Sequence, residues 1–321
     1  MLLDCVPSPL PDEHAASVYY RAFLFSPVRT IELYFEYVLG TRFYGSPYNF
    51  WVPAYGDLAM SLTNSLGVAS FIKSYTNVGE YGPFLPLELE SSGSVADVLD
   101  KLSITKFKYR VHVQTDRHWR YCPSCAAEDY KTFGTTYYHV SHQRYYQRTC
   151  TRHSMLLEVH KCERGYFELP PNNTAGQSAP VDIIEFDHLL AELVATIRRY
   201  GNRGAFYQLI KHLRSTLGWQ DTVVYTGAYR SHLNLYQKNL THYFNSTPIQ
   251  YYFNFPSLHS NSSQYLSQIG VANLLNINSH LHPLYYLWVI ASMLTPFNEY
   301  STKHLIQLPS SVKAILEKTI T

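Results

Sequence analysis

Two short motifs constrain this chain more than anything else in it: Cys122-Pro123-Ser124-Cys125 and, 24 residues further on, Cys150-Thr151-Arg152-His153. Two donors on one tight turn, faced by two on another, are what a tetrahedral ion takes, and the intervening loop is long enough to fold back. Four protein ligands leave no open coordination position, so the spacing predicts one structural zinc ion rather than a catalytic one. Its binding free energy would be part of the stability of a segment too irregular to hold itself together. Two other readings fit the same residues: a redox-active Cys-x-x-Cys, or buried thiols and imidazoles that meet no ion. The redox reading calls for a strand-to-helix turn in a βαβ unit, and no such pattern flanks Cys122. Cys5 and Cys162 are left over, and Cys162 is either a packed thiol or a substitute ligand. His139 and His142 sit inside the loop with no third donor to complete a second set, which favours packing and hydrogen bonding.

Around this centre the pattern is helical. Asp12 can cap a first helix carrying Ala15, Val18, Tyr19, Ala22 and Phe23. Ser26-Pro27 opens a second, with Ile31, Tyr34, Phe35 and Val38 in a stripe ended by Gly40. Asp57 begins a third, where Leu58, Leu62 and Leu66 stack until Gly67. From Lys106 to Arg120 cations alternate with Phe107, Tyr109 and Val111 at a period nearer two, an extended segment leading to the cysteines. Residues 169–180 are turn-rich, without periodic apolar residues, and read as a linker. Helices follow over 186–200, 205–217 and 265–275, and another starts at His282-Pro283, whose apolar run is too short to span a bilayer. The expected fold is mainly α: a multi-domain helical protein with a central structural zinc-finger segment. Its parts are an N-terminal helical domain (1–105), the zinc segment (106–168), a linker (169–181) and a C-terminal helical domain (182–321). The chain has 321 residues and is 46% hydrophobic, enough to fill such cores.

Tyr121-Cys122-Pro123-Ser124-Cys125, Gly134, Tyr138, His142-Gln143 and Cys150-Thr151-Arg152-His153 with Met155-Leu156-Leu157 resemble the signature of the TniQ/TnsD family of transposon target-selection proteins. The opening Pro7-Ser8-Pro9-Leu10-Pro11-Asp12-Glu13, with Ser17 and Arg21, is similar to the start of those proteins. Tyr75-Thr76 with Tyr81-Gly82-Pro83-Phe84 looks like the TnsD branch, and His282-Pro283-Leu284 matches a C-terminal element more weakly. The resemblance covers most of residues 5–160 well and the rest loosely. It implies helix-turn-helix elements around the zinc site, no active site, and a role in choosing where a transposon inserts. TniQ-like members sit as a homodimer on an RNA-guided Cascade complex of a CRISPR-associated transposon, whereas TnsD-like members bind an attachment site in target DNA directly. Both recruit the AAA+ ATPase TnsC. The chain is shorter than the longer TnsD-like members.

The residues themselves are compatible with both branches. With 26 Lys and Arg against 24 Asp and Glu, the net charge of +2 exerts no global attraction on nucleic acid, so contacts must be local. Lys106, Lys108, Arg110, Arg117 and Arg120 precede the first cysteines, and Arg144, Arg148 and Arg152 lie on the far arm of the loop. Zinc would bring the two sets together as one basic patch, to be read either as a phosphate-binding face or as a solvated one. Residues 206–218 running on to Tyr229-Arg230-Ser231-His232 fit a helix-turn-helix and a plain helical hairpin nearly equally. Charged residues are only 16% of the chain while tyrosine occurs 29 times, which suits an adaptor with aromatic contact surfaces. No glycine-rich phosphate loop, GxSxG, HExxH or paired carboxylate motif is present, so an enzyme acting on a small-molecule substrate is not expected. Met1-Leu2-Leu3-Asp4 lacks a basic start and a long apolar run, and the expected setting is the bacterial cytoplasm, away from membranes.

Overall fold

The structure, a computed structural model, describes residues 6–39, 68–84, 118–160, 167–172, 175–200, 203–216, 251–252, 281–294 and 308–320. The expected helix at 57–67, the helix at 265–275 and the residues 106–117 lie outside them. The architecture is mainly helical, with a single two-stranded sheet among the described residues. Two compact units divide it, one ending at Glu80 and resuming before His118 to reach Pro180, the other taking Tyr81–Phe84 and everything described from Val181 onward.

In the first unit α1 spans Ala15–Leu24 and α2 spans Ile31–Leu39. The cap of α1 is His14, not Asp12: the His14 Nδ1 accepts the Ala16 N–H at 3.2 Å. Burial holds the His14 pKa down at about 3, so the ring is neutral and its Nδ1 is free to accept. Asp12 is drawn elsewhere, taking a left-handed φ of 58° while its carboxylate bonds the Ser141 N–H and hydroxyl. Helix α2 starts later than Ser26-Pro27 suggests, because Ser26 Oγ closes a local turn onto Val28 N–H and Thr30 Oγ1 accepts from Leu33 N–H instead. Two short helices, α3 (Val68–Tyr75) and α4 (Val78–Tyr81), follow.

The metal-motif segment belongs to the same unit rather than standing apart. Strand β1 (Trp119–Tyr121) pairs antiparallel with β2 (Glu158–His160), bringing Tyr121 opposite Glu158. Between them run α5 (Pro123–Phe133), ended by Gly134 in a left-handed conformation, and a 3-10 turn over Ser141–Gln143. The N-terminal segment is laced onto this loop: His14 N–H donates to the Tyr138 carbonyl, Val140 N–H to the Asp12 carbonyl, and Tyr138 N–H to Ser17 Oγ. Beneath them Trp119 stacks on Tyr138 at 4.8 Å and meets His14 and Phe167 edge-on. The buried Glu13 carboxylate takes a two-pronged grip from Arg21, which also reaches the Ser8 carbonyl. Residues 175–179, part of the expected linker, also lie against the loop. Leu156 N–H donates to the Gln177 carbonyl and Ala179 N–H to the Ser154 carbonyl, with a bridge between Met155 and Ser178.

The second unit contains α6 (Val181–Arg199), α7 (Arg203–Thr216), α8 (Pro283–Leu294) and α9 (Leu308–Ile320). Helix α8 begins at Pro283 as expected, and residues 284–291 are buried on every side, the signature of a central core helix. His282 caps it much as His14 caps α1, its Nδ1 accepting the Leu284 N–H. Phe186 of α6 stacks on Trp288 at 4.8 Å, while Phe206 of α7 packs between Phe84 and Tyr286. Among the described residues no helix is long and apolar enough to cross a membrane.

Candidate metal centre

Cys122, Cys125, Cys150 and His153 meet, their four donor atoms all within 4.8 Å of one another. Cys122 is the N-cap of α5 and Pro123 its first residue, a position that needs no N–H. One turn in, Cys125 faces the same side, so both sulfurs sit where the helix N-terminus favours negative charge. The second pair rides on a tight reversal. Cys150 N–H donates to the Met155 carbonyl, Ser154 N–H returns to the Cys150 carbonyl, and Ser154 turns the chain with a φ of 51°. The three cysteines are buried and unbridged, with Leu157 and Met155 packed around them.

The spacing of these donors tests which ion they suit. A tetrahedral zinc with Zn–S of about 2.3 Å and Zn–N of about 2.0 Å puts neighbouring sulfurs about 3.8 Å apart and a sulfur about 3.5 Å from the nitrogen. Here Cys125 Sγ and Cys150 Sγ are 3.6 Å apart. His153 Nδ1 lies 3.6 Å from Cys122 Sγ, 3.3 Å from Cys125 Sγ and 3.6 Å from Cys150 Sγ. Cys125 and Cys150 are thus far beyond disulfide length, and their separation and those to His153 match the edges of a metal tetrahedron. Hydrogen bonds from Cys122 and Cys125 pull the Cys150 thiol well down, and bonds to Cys122 and Cys150 push Cys125 well up. A divalent cation held between them would take all three as thiolates.

Two residues absent from the sequence-level reading of the site complete its surroundings. Glu128, on α5, places Oε1 3.0 Å from His153 Nε2 and receives Arg152 Nη2 on Oε2 at 2.6 Å. Its position three residues after Cys125, behind a helix-starting proline, was the available signal. Gly176 is the other: a Cβ there would come within 2.2 Å of the Met155 methyl, the movable end of its side chain, and 3.2 Å of Pro123 Cγ, so the 175–179 strap runs close against the residues around the centre. Among the loop histidines, His142 is buried with Nε2 4.0 Å from Cys125 Sγ. His139 lies between Asp129, at 2.8 Å, and Asp12, at 3.5 Å, stacked on Tyr137 and meeting the His142 ring at a tilt.

The eight cations of the expected basic patch fare differently. Lys106, Lys108, Arg110 and Arg117 lie outside the described residues. Arg120 is fully buried, its guanidinium donating to the Gln147 and Arg144 carbonyls while its backbone pairs with the Gln143 side chain in both directions. Arg148 is interior as well. Arg144, about one third exposed, pairs with Glu80, and Arg152, the most open of the four, pairs with Glu128. Arg120 and Arg148 therefore spend their charge inside the protein, where a phosphate does not reach them.

No protein-family model matches this sequence, and no curated protein matches it. What fold and site define together is a class: a mainly helical protein in which three cysteines and a histidine could hold one metal ion.

Proposed function

We propose that Cys122, Cys125, Cys150 and His153 hold one structural zinc ion, and that the protein selects target sites for a DNA transposon. In this reading it is a TniQ-like adaptor coupling an RNA-guided Cascade complex to a TnsC-type AAA+ ATPase, without catalytic activity of its own. The observation that carries the reading is where the residues behind the family resemblance lie. Most of them are spread from the first ten residues to Leu157, and several of these bond directly to one another in one compact unit, whereas Tyr81–Phe84 and His282-Pro283-Leu284 fall in the other. Glu13 and the Ser8 carbonyl hold Arg21, and Ser17 accepts from Tyr138. Such contacts support reading these residues as parts of one folded module.

Zinc here supplies crosslinking, and the residues around it turn that into a rigid platform joining the N-terminal segment, α5 and the Cys150 turn. The four-donor set leaves no position for substrate, which supports a binding rather than a catalytic role. Helix α7 would open the helix-turn-helix element expected over residues 206–232. The decisive experiment purifies the zinc-loaded protein with a candidate guide complex and TnsC-type ATPase, alongside a salt-titrated gel shift on random and attachment-site duplexes. The adaptor predicts co-purification with both partners and weak binding to either duplex. Tight, sequence-selective binding of the attachment site without partners would make the protein a TnsD-like direct reader instead, and nuclease or ATPase activity in the purified chain would remove the non-catalytic assignment.

A further inference from the structure

We infer that Glu128 is the positioning residue that decides which nitrogen of His153 the metal takes; this rests on the zinc reading above. The imidazole stands between two chemically opposite neighbours. Its Nδ1 faces the three sulfurs at 3.3–3.6 Å, and its Nε2 faces the Glu128 carboxylate at 3.0 Å. A neutral imidazole carries one N–H, and a carboxylate on Nε2 holds the proton there, leaving the Nδ1 lone pair for the ion. Glu128 is not a fifth ligand, since it lies beyond the ring on the side away from the sulfurs.

The carboxylate is itself held. Arg152 Nη2 donates to Oε2 at 2.6 Å, so the residue preceding His153 fixes the group that fixes His153. The charges also require this partner. Three thiolates around a divalent ion carry a net negative charge, and a bare carboxylate beside them would add to the repulsion. Arg152 offsets it. Helix α5 thus contributes twice, through Cys125 as a ligand and, one turn later, through Glu128 as the residue that orients the ligand on the opposite turn.

The test uses the full chain loaded with zinc. Long-range 15N–1H spectra of the histidine rings report directly which nitrogen is protonated, and His153 is expected to keep its proton on Nε2 and bind through Nδ1. In chelator competition, Glu128→Ala is expected to lower zinc affinity about 10–100-fold. Glu128→Gln, which retains an accepting oxygen but loses the charge, is expected to lose less. Because Glu128 is half exposed, both variants should match the parent in far-UV circular dichroism when saturated with zinc. Coordination through Nε2, or a Glu128→Ala affinity within twofold of the parent, would overturn this inference while leaving the ligand set intact. Failure of the parent protein to take up one equivalent of zinc would instead remove the ligand set, and this inference with it.

Discussion

The metal-bearing unit and the helical unit join distant parts of the chain by different means. In the helical unit the joints are mostly apolar: α8 is enclosed on all sides, and aromatic rings of α6 and α7 close on Trp288 and Tyr286, with a buried bond from the Tyr252 hydroxyl to Asp187 among them. In the unit with the candidate metal centre, here the metal-bearing unit, an aromatic cluster around Trp119 is accompanied by many polar joints that are individually addressed. Asp12 reaches Ser141, Tyr137 donates to the Pro11 carbonyl, and Gln143 pairs with the backbone of Arg120. Short irregular segments cannot bury enough apolar surface to fix their own register, so specific hydrogen bonds do it instead, and a metal ion on the four candidate donors would add to them. Helices with continuous apolar stripes depend on such bonds less.

That contrast fails if the two units do not respond independently. The largest expected effect is from Cys150→Ser, which should release the metal and unfold residues 120–157, since structural zinc sites supply on the order of 10 kcal/mol. Hydrogen exchange of the full chain would show protection lost there and retained over 283–294. Equal loss in both would mean that the metal staples the whole chain, and retention of one zinc with an unchanged melting curve would mean that the ligand set is different. Trp288→Ala is the mirror experiment. It should cost about 4 kcal/mol in the helical unit through the cavity it leaves, with zinc stoichiometry unchanged. Loss of zinc in that variant would erase the distinction drawn here.

A smaller effect sharpens the polar side. Glu13→Ala strands the Arg21 guanidinium, of which only 10% of the side chain is exposed, and should destabilise the metal-bearing unit by about 3 kcal/mol. The paired replacement of Glu13 and Arg21 by apolar residues should recover part of that loss, because the uncompensated charge goes with it. No recovery in a double-mutant comparison would assign the role to Glu13 alone, through its bond from the Leu10 N–H.

How much of this could be read in the sequence follows from the same contrast. The clustering of Cys122, Cys125, Cys150 and His153 was legible because the donor arrangement a metal needs is written in residue type and local spacing. Helix α8 was legible because Pro283 and an unbroken apolar run are local signals too. Asp12 was misplaced as a cap because capping propensity favours aspartate over histidine, while the Ser141 loop, distant in sequence, claims the carboxylate. Residues 175–179 read as linker because a strap held by backbone bonds needs no apolar period. Helix α9 went unread although Val312 and Leu316 stand one turn apart and are buried. Arg120 looked like a phosphate contact because a cation's charge is visible in sequence and its burial is not. The proposed transposition role rests on the resemblance, and the donor chemistry beneath it would serve other proteins equally well.

The smallest effect expected is a pH dependence confined to the metal-bearing unit. Burial tends to discharge His139, but hydrogen bonds and charge from Asp12 and Asp129 outweigh it and raise the imidazole from the usual 6.5 to about 9. Asp12 is correspondingly lowered, burial being outweighed by its bonds to His139 and Ser141. A raised histidine contributes stability that is fully present below pH 6.5 and is lost as pH climbs through 9, whereas a lowered aspartate contributes above its ordinary 3.8 and loses that contribution in acid. The clamp should therefore weaken between pH 6.5 and 9, by on the order of 2 kcal/mol. Titrating the thermal stability of the zinc-saturated protein over that window, beside His139→Gln, isolates it. The parent should lose stability with rising pH, and the variant, lacking the titrating ring between Asp12 and Asp129, should follow a flatter line. Parallel slopes would show that His139 holds the N-terminal segment to α5 as a neutral hydrogen-bonding group, and that the polar joints of this unit need shape and donors but no charge.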